Sequence, residues 1–401
     1  MKNNKKRNDE PKDKIDLFRH LLVKSLANKT NKLRKVNDGN NKIIVIVKED
    51  GLGDYILFLN VLRYLTKVYE GYKFYFICAR NVYPLAIHNK DFEEVIAISR
   101  EETSFFALKK FHAKLAHIKA DILLSMAAPR TVEAELASLF INAKTKIAYL
   151  GERGALSTRM KSRLDLIYDQ LIDTDKTQNT LVQAKKFLHQ LIPNSDYLID
   201  KPYLEIEDEH IYLPEDEYYV LFLGGSVFNK KWPPQRFAEV ANHIYERTKL
   251  TPILIGDEYD IEEEEEFLKY YSHPHYSFMD KLSILEALYV IKKAKFVLSN
   301  DSFPVHAASA FNVPSIVVRG QFSGNKFYPY VLDIKDEKYN LPIEVCKDTH
   351  CKWCTLDSSG YFCLHGEYNA RRKVKCLNKV EPMDVIHKVD ELLDKMEVQH
   401  G

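Results

Sequence analysis

The chain has 401 residues, of which 45% are hydrophobic and 29% charged, and its formal net charge is +1. This length predicts two domains with sizeable cores, and the near-neutral charge argues against a nucleic-acid partner. The sequence contains no apolar run of about 18 residues and no signal peptide, so we expect a cytoplasmic protein without a membrane-spanning helix.

The N-terminal extension, residues 1–40, is basic. Residues 1–36 contain twelve Lys or Arg and four Asp or Glu, which gives a net charge of +8. From Ile15 onward, apolar residues recur at helical spacing between lysines and arginines, a pattern that predicts a basic amphipathic helix. Two interpretations stay open. The helix lies on the inner face of the cytoplasmic membrane, or it packs on the domain with its basic face in solvent.

An N-terminal α/β domain is predicted over residues 41–200. The β-branched run Lys42–Val47 predicts a central parallel strand, and a helix follows from Tyr55. Between them, Gly51 and Gly53 permit a tight turn. Asp54 lies at the helix start, and one interpretation of this residue is that it only caps the N-terminus of the helix. Further strands are predicted at Lys73–Cys78, Val95–Ile98, Ala120–Ser125 and Lys146–Leu150. Strands alternating with helices predict a doubly wound sheet.

A second α/β domain is predicted over residues 215–380, after a polar stretch that reads as a linker. Its first strands, Tyr218–Leu223 and Pro252–Ile255, end at Gly224-Gly225-Ser226 and at Gly256. The acidic run Glu262–Glu266 predicts the solvated first turn of a helix. Residues 381–401 predict a C-terminal helix.

The stretch around which the chain is organised runs from residue 296 to 321. An apolar strand ends at the turn containing Asp301 and Ser302, a short helix carries Pro304 and His306, and a second strand follows. A strand–helix–strand unit implies parallel strands, with the helix N-terminus at the carboxyl end of the first. Backbone N–H groups at that end favour an anion, so we expect a phosphate-bearing ligand here.

Five of the six cysteines lie close together in a loop, residues 346–376. They are Cys346, Cys351, Cys354, Cys363 and Cys376. Four thiolates, with Cys351 and Cys354 as one pair, are typical of a structural zinc site, although the spacing is not that of a standard zinc finger. The alternative is a set of reduced, unligated cysteines, since disulfides are disfavoured in the cytoplasm.

Four stretches, in order, resemble the motifs of glycosyltransferase family 9, the heptosyltransferases of lipopolysaccharide core assembly. They are KEDGLGDYILFLNVLRYL, LGGSVFNKKWPPQRFAEVANHI, ILIGDEYD and LSNDSFPVHAASAFNVPSIVVRGQ, and CLNKVEPMDV is a weaker fifth. The second stretch resembles the family's Lys-x-Trp-Pro segment.

The resemblance implies a GT-B fold, in which two Rossmann-like doubly wound domains face each other across a cleft. It implies an inverting, metal-independent transfer of a sugar from a nucleotide-sugar donor, often ADP-heptose, to a lipid-linked or lipopolysaccharide core saccharide. The resemblance further implies that the catalysis requires no cofactor. It also implies that the C-terminal domain binds most of the donor and the N-terminal domain the acceptor.

The resemblance also implies roles for individual residues. Asp54 matches the catalytic base, Gly51 and Gly53 form its acceptor-side loop, and Lys231 with His306 stabilises the departing diphosphate. Asp301 orients a donor hydroxyl or holds its loop. The implied donor-binding residues are Gly224, Gly225, Ser226, Lys231, Gly256, Asp301, Ser302 and His306. Without the resemblance, Lys231 is a surface cation and His306 a buried core histidine.

One position departs from the family pattern. Phe303 stands where the family has glycine after Asp-Ser/Thr, so the sequence predicts crowding at the phosphate or an altered donor. Two other functions stay open: a GT-B-shaped sugar-nucleotide-binding protein without transfer activity, and a GT-B sugar-nucleotide epimerase.

Overall fold

The computed structural model describes most of the chain. The described residues are 23–30, 32, 40–127, 130–151, 156, 158–175, 178–209, 211–225, 230–321, 326–347 and 375–400. They divide into two compact units. The first unit takes the described residues up to Glu49 together with Glu70–Tyr83 and Phe92–Ile172. The second takes Asp50–Tyr69, Pro84–Asp91 and the described residues from Asp173 onward.

The first unit is built on a six-stranded parallel sheet. Its strands are β1 (Ile43–Lys48), β2 (Lys73–Ala79), β3 (Phe92–Ile98), β4 (Lys119–Ser125), β5 (Asn142–Tyr149) and β6 (Gln170–Ile172). Their order is β3-β2-β1-β4-β5-β6, and every pair is parallel. Strand β1 lies inside the sheet, and its β-branched side chains are buried on both faces, with Ile44 and Ile46 on one face and Val45 and Val47 on the other.

Short helices accompany this sheet. The first, α1, covers residues 23–30. The others are α4 (Leu108–Leu115), α5 (Val132–Phe140) and α6 (Thr158–Leu164). Helix α1 packs Val23, Leu26 and Ala27 against the core of the unit, and Thr30 Oγ1 lies 3.2 Å from His112 Nε2. For the described part of this helix, the packed interpretation is therefore the one observed.

The second unit has its own six-stranded parallel sheet. Its strands are β7 (Tyr218–Phe222), β8 (Thr251–Leu254), β9 (Tyr276–Ser277), β10 (Val297–Asn300), β11 (Ser315–Val318) and β12 (Ile343–Val345). The order is β12-β11-β10-β7-β8-β9, again parallel throughout. The order reverses direction at β7 and β10, so the carboxyl ends of these two strands form the crevice where open α/β sheets bind ligands.

The remaining helices follow the chain order. They are α2 (Leu52–Val68), α3 (Tyr83–Ala86), α7 (Thr180–Leu191), α8 (Pro234–Thr248), α9 (Ile261–Leu268), α10 (Ile284–Lys293), α11 (Phe303–Ala310), α12 (Lys375–Asn378) and α13 (Pro382–His400). Helix α2 is grouped with the second unit, together with α7 to α13. In the described part of the chain, no helix combines the length and hydropathy needed to cross a lipid bilayer.

The predicted fold class is confirmed, because both halves are α/β with parallel sheets. The short edge strands β6, β9 and β12 were not predicted, since two or three residues carry too little periodicity to be recognised. The predicted domain boundaries at residues 40, 200, 215 and 380 stay predictions.

Candidate functional site

The predicted strand–helix–strand unit is present. Strand β10 ends at Asn300, helix α11 begins at Phe303 with Ser302 as its N-cap, and β11 pairs in parallel with β10. Asp301 and His306 are both buried at this end of the sheet. The N-cap side chain of Ser302 makes no capping hydrogen bond.

Asn300 ties this turn to the neighbouring strand. Its Nδ2 donates to the carbonyls of Leu223 (2.7 Å) and Gly224 (3.0 Å) just beyond β7, and its Oδ1 accepts from the Trp232 backbone N–H (2.9 Å). The side chain is fully buried and all three bonds are good in length. Asn300 therefore fixes the position of the lysine pair that precedes Trp232. Sequence reasoning missed it, because a single asparagine at a strand end carries no distinctive pattern.

The two lysines have different partners. Lys230 Nζ lies 3.3 Å from Asp301 Oδ2, whereas Lys231 Nζ lies 2.9 Å from Asp260 Oδ1 and 3.1 Å from Glu263 Oε2. Lys230 was not predicted as a site residue. The sequence does contain a signal for Lys230. In the Lys-x-Trp-Pro pattern the lysine lies two residues before the tryptophan, and the residue two before Trp232 is Lys230.

Lys231 is held as a cation by its two carboxylates. Burial lowers its pKa, but the hydrogen bonds and charges of Asp260 and Glu263 outweigh that effect, and the pKa is raised above its ordinary value. The interpretation of the acidic run 262–266 as fully solvated is wrong for Glu263, whose side chain is only 13% exposed and pairs with Lys231.

The glycines after β7 and β8 make room for protein side chains. A Cβ at Gly224 would collide with the carboxylate of Asp260, and one at Gly256 would collide with the sulfur of Met279. A Cβ at Gly225 would lie 3.3 Å from Lys230 Cβ. The structure thus brings Gly224, Gly225 and Gly256 together around Asp260 and the lysine pair.

His306 lies between aromatic rings. Its Nδ1 is 2.6 Å from the Tyr330 hydroxyl, and the ring stacks on Tyr328 with centroids 5.5 Å apart. Burial lowers the pKa of His306 to about 4, and the carboxylates of Asp301 and Asp54 oppose this shift only in part. At neutral pH the imidazole is therefore uncharged and acts as a hydrogen-bonding group rather than as a cation.

We expect His306 to make the second unit less stable in acid. Its folded pKa lies below the ordinary value of 6.5. Between pH 6.5 and 4 the unfolded chain binds a proton that the folded chain does not, so stability falls as the pH falls through this window. Urea unfolding at pH 7 and pH 5 measures how much free energy of unfolding is lost between the two pH values. This loss should be about 2 kcal/mol smaller in His306→Gln than in wild type. The exposed His88, as His88→Gln, is the control, and an unchanged pH dependence in His306→Gln would contradict the buried neutral histidine.

The first turn of α2 meets His306. A Cβ at Gly53 would lie 2.6 Å from His306 Cδ2, so this position requires glycine. Gly51 is the N-cap of α2, and the space beside it is open. Asp54 is the third helical residue and is half-buried, so the N-cap alternative for Asp54 is wrong. Asp54, Asp301, His306 and Lys230 thus lie close together at the starts of α2 and α11.

Phe303 is the first residue of α11 and its ring packs edge-to-face on Phe222, with centroids 5.8 Å apart. The side chain is half-buried. At the position where the sequence departs from the family pattern, an aromatic side chain therefore packs against the end of β7.

Some predicted residues lie outside the described part of the chain. Ser226 is one, and Cys351, Cys354 and Cys363 are others. Gln321 donates hydrogen bonds to two cysteine sulfurs. Its backbone N–H donates to Cys376 Sγ (3.3 Å), and its side-chain amide donates to Cys346 Sγ (3.4 Å). Among the described residues, no group of three or more His, Cys, Asp or Glu side chains is arranged to hold a metal ion.

Solved structures with this fold are found at low sequence identity. The family 9 glycosyl transferase of Veillonella parvula is 17% identical, with a TM-score of 0.67 over 88% of this chain and 97% of that one. The Escherichia coli ADP-heptose lipopolysaccharide heptosyltransferase II is also 17% identical, with a TM-score of 0.64 over 88% and 99%. An E. coli heptosyltransferase solved with ADP-2-deoxy-2-fluoro heptose is 16% identical, with a TM-score of 0.58 over 87% and 99%.

Sequence comparison adds the family. A search of curated protein sequences finds no match. The family described as glycosyltransferase family 9 (heptosyltransferase) matches residues 110–351, more than half of the chain. Together with the parallel sheets and the site at the carboxyl ends of β7 and β10, this match shows that the chain is a glycosyltransferase and belongs to family 9.

Proposed function

We propose that the chain transfers heptose from ADP-heptose to a lipid-linked or lipopolysaccharide core saccharide, with inversion and without a catalytic metal. The observation that carries this proposal is the grouping of Asp54, Asp301, His306 and Lys230 at the starts of α2 and α11. The choice of donor is supported by relatives named for ADP-heptose and for its fluorinated analogue.

The proposed reaction is a single displacement. An acceptor hydroxyl oxygen bonds to the anomeric carbon as the bond from that carbon to the diphosphate oxygen breaks, and the hydroxyl proton passes to the Asp54 carboxylate. The departing diphosphate takes the electron pair and gains negative charge. Lys230 and the backbone N–H groups at the start of α11 are placed to stabilise that charge.

Lys230 is the better candidate for the diphosphate than Lys231. Its ammonium is paired with one carboxylate, Asp301, and its side chain is 15% exposed. Lys231 is paired with two carboxylates, whose combined negative charge exceeds that of its ammonium and disfavours a phosphate beside it. We assign Lys231, with Asp260, to holding the loop that carries Lys230.

A thermal-shift screen of nucleotide sugars tests the donor. A ligand present at 100 times its Kd stabilises the fold by about 2.7 kcal/mol, so ADP-heptose and ADP should raise the Tm clearly. Uridine and guanosine diphosphate sugars should raise it less. Stabilisation only by uridine nucleotides would refute ADP-heptose as the donor.

Release of ADP from ADP-heptose distinguishes a transferase from a protein that only binds sugar nucleotides, because a competent enzyme hydrolyses some donor without acceptor.

We further propose that the protein is cytoplasmic and contacts the anionic inner face of the cytoplasmic membrane through residues 1–36, most of which lie outside the described residues. Helix α1 exposes Lys24 and Lys29 while its apolar side chains pack on the core. The contact is therefore electrostatic and sensitive to salt. Co-sedimentation with vesicles should show binding to anionic lipid that falls with salt and in Lys24→Glu/Lys29→Glu, and equal binding to neutral vesicles would contradict it.

We also propose that the cysteine cluster binds one structural metal. Gln321 contacts the sulfurs of both Cys346 and Cys376, which brings the two ends of the cluster to one residue. Thiolates favour zinc or iron. Elemental analysis of protein purified without chelator should find about one zinc or iron per chain, and Cys351→Ser/Cys354→Ser should lose it. Wild-type protein that is well folded but contains no metal would contradict the metal site and favour reduced, unligated cysteines.

A further inference from the structure

His306 has two edges with different surroundings. On one edge, Nδ1 lies 2.6 Å from the Tyr330 hydroxyl, a short hydrogen bond. The other edge, Cδ2 and Nε2, faces the first turn of α2, where a Cβ at Gly53 would lie 2.6 Å and 3.2 Å from these two atoms. The ring is thus clamped between a tyrosine of the loop after β11 and the helix that carries Asp54.

The neutral imidazole can carry its proton on either nitrogen. In that form one ring nitrogen donates and the other accepts, and the partner of one nitrogen decides the role of the other. Tyr328 also approaches the ring, but its hydroxyl is 3.5 Å from Nε2, which is too long for a strong hydrogen bond. Tyr330 therefore has the dominant contact.

The charges around the ring favour one arrangement. The negative charges of Asp301 and Asp54 act on the imidazole, and the positive charge of Lys230 opposes them. Asp54 directly follows Gly53, the residue that faces the Cδ2–Nε2 edge. A negative charge beside the Cδ2–Nε2 edge stabilises a proton on Nε2. That proton leaves Nδ1 as the acceptor for the Tyr330 hydroxyl.

We propose that Tyr330 is a positioning residue: its hydroxyl donates to Nδ1 of His306 and fixes the tautomer with the proton on Nε2, facing the first turn of α2. The proposal rests on the proposed function in one respect. Only if the donor binds at this site does the Nε2–H group serve as a hydrogen-bond donor to the reacting groups. The tautomer itself does not depend on the reaction.

Nitrogen NMR of histidine-labelled protein without ligand tests the tautomer directly. Assignment of the His306 ring comes from the spectrum of His306→Gln. Wild type and Tyr328→Phe should both show the proton on Nε2, and Tyr330→Phe should show a mixture or the other tautomer. Tyr328 is the matched control, since it is equally aromatic, is buried and stacks on the same ring. A wild-type proton on Nδ1, or a change in Tyr328→Phe but not in Tyr330→Phe, would overturn the proposal.

Turnover gives the second readout. With ADP-heptose as the probe, Tyr330→Phe should lower kcat for ADP release roughly fivefold to tenfold, the worth of one hydrogen bond, with KM nearly unchanged. An unchanged kcat alongside a changed tautomer would show that the tautomer does not matter for the reaction and would overturn the positioning role. No ADP release by wild type would count against the proposed function, and the NMR result would still decide the tautomer.

Discussion

Asp54→Asn should lower the rate of sugar transfer by about 10²- to 10⁴-fold, because the amide cannot accept the acceptor's proton. The substitution keeps the shape of the side chain, so binding of ADP-heptose should be nearly unchanged. Asp54 is half-buried in the first turn of α2, directly after the glycine that touches His306. That position places a carboxylate beside the other site residues.

Asp50→Asn is the matched control for this prediction. It makes the same change of charge four residues earlier, before α2 begins. We expect Asp50→Asn to retain turnover. Steady-state rates and calorimetric donor affinities of both variants decide the matter. Turnover that survives in Asp54→Asn would remove this residue from the mechanism.

Lys230→Ala should weaken the affinity for ADP about 10- to 100-fold, since one charge-assisted contact to a phosphate is worth about 1.5–3 kcal/mol. Affinity for adenosine, which has no phosphate, should hardly change. The basis is the position of the Lys230 ammonium, 3.3 Å from Asp301 at the start of α11.

Lys231→Ala distinguishes the role of Lys231 from that of Lys230. This change removes the ammonium partner of two carboxylates, Asp260 at 2.9 Å and Glu263 at 3.1 Å, whereas Lys230→Ala removes that of Asp301 alone, at 3.3 Å. Lys231→Ala should therefore lower the stability of the second unit more than Lys230→Ala does. Its effect on ADP affinity should be the smaller of the two. A larger loss of ADP affinity in Lys231→Ala would return the phosphate-binding role to Lys231, and equal losses for adenosine and ADP would show that the phosphates are held elsewhere.

Sequence alone predicts the framework of the site because burial dictates its pattern. Central strands such as β1 and β7 are apolar over most of their length, and the polar turn at Asp301 stands out between the apolar start of β10 and the apolar strand β11. The same pattern placed His306 on the short helix that follows. These features are local in sequence, so they can be read without knowing the fold.

Long-range partners could not be predicted in this way. Tyr330 lies in an irregular loop whose contact with His306 spans 24 residues, and Asn300 reaches residues 68 and 77 positions away. Neither contact leaves a periodic trace. The burial that keeps His306 neutral depends on the same loop, so the sequence indicates a role for His306 at the diphosphate but not the protonation state of its ring.

The most direct test of the account is release of ADP from ADP-heptose by the purified full chain, measured with and without a lipopolysaccharide core acceptor. We expect slow release of ADP by wild type alone, faster release with acceptor, and loss of the release in Asp54→Asn although this variant still binds ADP-heptose. Wild-type protein that binds ADP-heptose tightly but releases no ADP with acceptor present would contradict the account and indicate a protein that binds sugar nucleotides without transferring the sugar.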